Sequence, residues 1–346
     1  MHTRSRPQSR IRSPSSPGTG AGRPGQHCVG QPGDVDRLRI LAEAHGYFTR
    51  PQALASGYDD KAIRRTLRAA QWTRIRQGVY TFPDLWAAAD ARGRHRVLAH
   101  AVASRLGDRV VLSHVSAAER NGLELWDVDL DLVHLTRLDG ATGRTEAGVV
   151  HHEGVCAVQE SVPLGGVRVV PRARAALETG LLASTESALV TLDSVLHHGC
   201  TREELESMAA LMEEWPGSRR LRVALRLADG RAESVGESRT RYLCYLHHLP
   251  APELQFEVRD QRGHVVGTTD FAWPEHRLLG EFDGKVKYGR LRRPGEEPED
   301  AVFREKRRED LLRELTGWSM VRITWGDLYQ GAATAARVRR LLTRAA

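Results

Sequence analysis

From residue 34 onward, apolar positions recur at helical spacing and are cut by clear punctuation. Val35 to Ala44 carries Leu38, Ile40 and Leu41 and is closed by His45-Gly46. Thr49 and Pro51 open a second short helix that Gly57 stops. Asp59 or Asp60 opens a third, running to about Ala70, with Ile63 and Leu67 inward and Lys61, Arg64, Arg65 and Arg68 outward. The period then changes to two: Trp72 to Phe82, WTRIRQGVYTF, alternates about Gly78 and predicts a two-stranded hairpin. Three short helices followed by a basic hairpin is the order of a winged helix-turn-helix. In that geometry the third helix lies in the major groove of double-stranded DNA, and Arg74 and Arg76 touch phosphate or the minor groove.

The pattern is mixed between Leu85 and Asp229. Helices are predicted from about Arg94 to Leu106 and after Ser113, and then in a row from Pro171, Ser184 and Thr201, where Thr201 and Glu204 form a capping box. Short strands are predicted at Val110–Leu112, Leu132–Thr136, Val149–His152 and Val167–Val170. The histidines here read as structural. His151 and His152 are adjacent in a strand, so they face opposite ways and cannot chelate one ion together. His197 and His198 sit at a helix C-terminus, where the dipole favours positive charge. Ser113-His114 carries no elbow motif to mark a nucleophile. Five arginines between Arg219 and Arg231 mark a basic helix and linker, either along a DNA path or on a solvated helix face.

The last region, from Ser234 to about Arg340, reads helix, three strands, a Gly/Pro-rich insertion, helix, strand, helix. Its first helix starts at Glu237 and turns Leu243 and Leu246 inward. Leu254–Val258 pairs with the strand starting at Val265, and Thr269–Trp273 pairs with Arg277–Phe282 through Pro274-Glu275-His276. That hairpin sets Asp270 beside Glu281, while alternation puts Glu281 and Asp283 on one face. Such a carboxylate group has the chemistry to hold Mg2+, which takes one or two carboxylates and leaves its other positions to water and phosphate.

Composition sharpens this picture. The 346-residue chain carries a net charge of +7, which points to a polyanionic partner. Only four of its 51 basic residues are lysine, and Lys285, Lys287 and Lys306 cluster near the carboxylates. Lysine is a compact charge whose pKa can be shifted, as a catalytic site requires. Residues 1–33 are rich in Arg, Ser, Pro and Gly, lack acidic residues, and read as a disordered basic tail. Cys28, Cys156, Cys200 and Cys244 stand too far apart for a zinc site or disulfide framework. No apolar run reaches membrane-spanning length and no signal peptide is evident, so the expected location is cytoplasmic.

Two resemblances follow from these residues. Residues 37–82, with the Gly46-x-Phe48-Thr49 entry, the Ala53-x-x-x-Gly57 break and the Trp72-x-Arg74-x-x-x-Gly78-Val79-Tyr80 wing, resemble the winged-helix domain of the AbiEi type of antitoxin and transcriptional regulator. The region after it is similar to the middle part of the same proteins. Residues 231–346 resemble the PD-(D/E)xK, restriction-endonuclease-like superfamily, and within it the branch related to very-short-patch repair endonucleases. That likeness rests on helical Glu237, the strand ending Asp270-Phe271, the strand ending Glu281-Phe282-Asp283-Gly284, Arg307-x-x-Asp310 and Gly317-Trp318-x-x-x-Arg322. It implies Glu237 as the helical acid and Asp270 and Glu281 as Mg2+ ligands, with Asp283 standing where the simplest motif has its lysine. The basic group is then Lys285, Lys287 or Lys306.

The expected architecture is an α/β multidomain chain: basic tail 1–33, winged helix-turn-helix 34–84, mixed α+β middle region 85–230, and nuclease-like α/β domain 231–346. Two functions fit it. One is a Mg2+-dependent DNA endonuclease targeted by the winged helix, in which the metal activates water and a lysine stabilises the charged transition state. The other is a non-enzymatic antitoxin or regulator whose partners are DNA and a cognate toxin protein, with a silent nuclease-like domain.

Overall fold

In the computed structural model, residues 32–154, 160–284 and 298–344 are described, with no account of the side chains of 32–36, 298–306 and 344. The basic tail, apart from its last residues, lies outside them. The chain is a mixed α/β assembly with three sheets, each lying under its own hydrophobic core.

The N-terminal unit runs α1 (Pro32–His45), β1 (Phe48–Thr49), α2 (Arg50–Ala55), α3 (Asp60–Arg68), β2 (Thr73–Arg76), β3 (Val79–Thr81) and α4 (Pro83–Ala88). Its three strands form an antiparallel sheet in the order β1-β3-β2. Leu38, Phe48, Ile63, Trp72 and Tyr80 fill the core. There Trp72 meets Phe48 edge-on at 4.7 Å between centroids and Tyr58 at 4.6 Å. Ile40 does not join them. Two residues along a helix is a rotation of about 200°, so Ile40 points away from Leu38 and is 65% exposed.

The middle region runs α5 (Ala91–Leu106), β4 (Val110–Leu112), α6 (His114–Arg120), β5 (Val133–Arg137), β6 (Arg144–Glu146), β7 (Val149–His152), β8 (Val162–Leu164), β9 (Val167–Val169), α7 (Arg172–Leu182), α8 (Thr185–His197), α9 (Arg202–Ala210) and α10 (Ser218–Leu227). The sheet order is β6-β7-β5-β4-β9-β8. The exposed edge strands β6 and β8 escape sequence reading because neither shows apolar alternation. The helices α7 and α8 are buried along most of their length and form the body of the largest core.

The C-terminal region runs α11 (Val235–Leu246), β10 (Glu253–Arg259), β11 (Val265–Trp273), β12 (Leu278–Asp283), α12 (Pro298–Thr316), β13 (Ser319–Thr324), α13 (Trp325–Tyr329) and α14 (Gly331–Arg344). The sheet order is β10-β11-β12-β13, antiparallel except for the parallel β12–β13 pair that α12 connects. Leu243 is buried as expected, but Leu246 is 54% exposed at the helix end. Among the described residues no helix is long and apolar enough to cross a membrane.

Candidate nucleic-acid interface

The geometry of α3 starts with its cap. Asp59 stands in extended conformation and accepts the Ala62 amide at 2.6 Å, which fixes where the helix begins. Gly57 makes the preceding turn with φ +79°, a left-handed backbone that costs glycine nothing. Ala62, Ile63 and Thr66 then face the core, so Lys61, Arg64, Arg65 and Arg68 face solvent. Their side chains make no hydrogen bond or salt bridge to other described residues, whereas the neighbouring Arg50 is committed to Asp60 at 2.8 Å and braces α2 against α3.

On the hairpin, Gly78 turns with φ +73° and its carbonyl accepts the Arg50 amide at 2.8 Å, tying the wing to α2. Arg74 is exposed. Arg76 differs from it: it is half-buried, and burial together with nearby Arg105 lowers its pKa. Of the two, Arg74 alone is fully presented to solvent.

The C-terminal carboxylates are brought together by strand register. Phe271 pairs with Gly280, so Asp270 and Glu281, one step further, sit side by side on β11 and β12. Their partners are protein groups. Asp270 Oδ2 accepts the Phe282 amide at 2.7 Å. Glu281, 8% exposed, is paired with Arg308, which also donates to the Thr268 carbonyl at 2.9 Å, and lies 3.7 Å from Arg322. Arg322 further reaches Asp283 at 3.8 Å and Glu309 at 2.6 Å. Glu237, fully buried, closes the start of α11: it accepts the Ser234 hydroxyl at 2.7 Å, the Glu233 amide at 3.0 Å and Gln255 at 3.1 Å.

Among the described residues no three His, Cys, Asp or Glu side chains converge as a cation site. Among the described residues, Glu281 faces Arg308 and Arg322, Asp283 faces Arg322, and Asp270 accepts a backbone amide. Lys285 and Lys287 lie outside the described residues, as does the side chain of Lys306. Arg308 and Arg322 are the residues sequence reading did not assign. Arg322 carries a signal, the Gly317-Trp318-x-x-x-Arg322 spacing, but nothing local tells that its guanidinium crosses the sheet to the acids.

Residues 36–83 match the family described as "Transcriptional regulator, AbiEi antitoxin". Two Mycobacterium tuberculosis proteins, uncharacterized protein MT2308 of strain CDC 1551 / Oshkosh and uncharacterized protein Rv2248 of strain ATCC 25618 / H37Rv, are each 35% identical over 208 residues, covering 60% of this chain and 72% of theirs. The chain belongs to their family. A crystal structure of the RV2827C protein from Mycobacterium tuberculosis is similar over 66% of this chain and 84% of its own, with 16% identity and a TM-score of 0.37. At that score the overlay carries no argument about geometry. The family match therefore covers α3 and the hairpin.

One further group was not legible in the sequence. His114, His134 and His152 come together from α6, β5 and β7. The His134 Nδ1 and His152 Nε2 atoms stand 2.9 Å apart, and the His114 and His152 rings stack at 3.6 Å between centroids. Burial holds His134 and His152 down to about 4 and pushes His114 well below the ordinary histidine value. His151 faces the other way, as strand alternation requires.

Proposed function

We propose that this chain is a DNA-binding transcriptional regulator of the antitoxin type, in which residues 36–83 act as a winged helix-turn-helix and α3 enters the major groove. The observation that carries this is the outer face of α3: Lys61, Arg64, Arg65 and Arg68 stand exposed and without salt bridges to described residues, on a helix whose start is fixed by Asp59. Cations left unneutralised by the protein are the ones available to displace counterions from DNA. Arg74 on the hairpin adds a phosphate contact, and the net charge of +7 adds long-range attraction. The family match over these residues supports the same reading. A cognate toxin protein is the second partner it implies.

The nuclease-like region takes a different part. Its Glu281 carboxylate is held by Arg308 and lies close to Arg322, so we read the region as a non-cleaving scaffold. The test uses a duplex taken from upstream of the gene, with affinity followed by fluorescence anisotropy across a salt series. Arg64→Ala with Arg65→Ala is expected to weaken binding about tenfold or more and to flatten the log–log salt slope by about 2. Unchanged affinity and slope would sink the proposal. Plasmid incubated with the wild type and Mg2+ is expected to stay intact; cutting that Asp270→Ala abolishes would establish the nuclease instead.

A further inference from the structure

A cavity of about 950 Å3 opens in the middle region, away from α3 and from the carboxylates. Its size falls in the range of small-molecule sites, which combine apolar walls with a few convergent polar groups. One wall carries His114, His152, Arg174 and Glu178, and the other Leu181, Met208, Met212 and Trp215.

The polar wall is costly to build. Arg174 and Glu178 are both nearly inaccessible, and Arg174 Nε lies 2.8 Å from Glu178. Burying such a pair costs desolvation that an apolar pair would avoid. Glu178 also accepts the amide of His114 at 3.1 Å. His114 itself has φ +49°, a left-handed backbone that is strained for a residue with a side chain. Its ring lies flat on that of His152, with His114 Nδ1 taken by the Ser113 hydroxyl at 3.0 Å and His152 Nε2 by His134. His114 Nε2 and His152 Nδ1 make no hydrogen bond to the described residues. Packing alone does not require a strained histidine stacked over a buried ion pair at the edge of a void.

We propose that this cavity binds an uncharged, ring-bearing amphipathic small molecule, with its hydrogen-bonding group on His114 Nε2 and His152 Nδ1 and its apolar body against Met208, Met212 and Trp215. The charge preference follows from the ion pairs. Arg174 is already matched by Glu178 and by Glu160 at 3.3 Å, so an anion would meet two carboxylates and a cation would meet the guanidinium. Neutral imidazoles complement a neutral donor or acceptor. The stacked rings, Trp215 and the two methionine sulfurs favour a planar ring over a branched chain.

The test needs no DNA, so its outcome is independent of whether the chain is a regulator. Saturation-transfer NMR on the full chain compares benzyl alcohol, benzoate and benzylamine, three probes of one shape and different charge. Benzyl alcohol is expected to bind in preference to both charged probes. Met208→Trp, which crowds the apolar wall where the ring would lie, should strongly weaken its signal, and His152→Gln should weaken binding roughly threefold to tenfold, the worth of one hydrogen bond. The proposal is overturned if benzyl alcohol shows no transfer to the wild type, if either charged probe binds as well, or if both substitutions leave transfer undiminished.

Discussion

His134 shows how much a single position depends on the tertiary environment. It is 6% exposed, and burial together with neighbouring His152 holds its pKa at about 4, whereas an unfolded histidine titrates near 6.5. Between those values the unfolded chain binds the proton and the folded one does not, so the stability linked to His134 is fully present above about pH 6.5 and falls as the pH is lowered towards 4. The loss from His134 is on the order of 3 kcal/mol at the bottom of that window. Urea unfolding at pH 7 and pH 4.5 measures it. His134→Gln should narrow the difference between the two pH values, and an unchanged difference would show that His134 is not the group responsible. Glu281 makes the same point with opposite chemistry: its place in a strand is readable, but its partners Arg308 and Arg322 lie 27 and 41 positions away, on α12 and on β13, and meet it only in the folded chain.

At the scale of elements, α3 is the most local structure in the chain. Its cap, its turn glycine, its inward Ile63 and its outward cations are all determined within about one helical length of sequence, which is why they are legible there. Asp59→Ala removes the acceptor for the Ala62 amide and should cost about 1 kcal/mol. Urea unfolding reads that loss, while the salt slope of DNA binding should not move, because Asp59 contributes no cation. A changed slope would mean that the cap also sets the position of the basic face. The edge strands β6 and β8 are the converse case. They are exposed along their length and paired to β7 and β9, so they leave no periodic trace in the sequence.

Across the whole molecule, the middle and C-terminal regions are joined by two arginines of α11. Arg241 donates to the fully buried Asp193 of α8 at 2.6 Å, and Asp193 also accepts the Asp229 amide at 2.7 Å. Arg239 pairs with Glu186 at 2.7 Å and lies over the Trp126 ring at 4.0 Å, with Trp325 and Tyr329 beyond. Arg241→Met would leave the Asp193 carboxylate buried without its cation, at a cost of about 3–5 kcal/mol. Thermal unfolding at neutral pH should show it, and acidification that protonates Asp193 should reduce the penalty. A loss below 1 kcal/mol at neutral pH would mean that water reaches Asp193.

The sequence alone determined the order of elements, the cap and basic face of α3, and the strand register that sets Asp270 beside Glu281, because each depends on residues close in the chain or on strict alternation. Tertiary structure decided which charges are free. It left Lys61, Arg64, Arg65 and Arg68 to solvent, drew Arg76 partly inward, set Arg308 and Arg322 on the carboxylates, and gathered three histidines from separate elements beside a cavity. Charge availability depends on distances across the fold, where Coulomb attraction and desolvation compete.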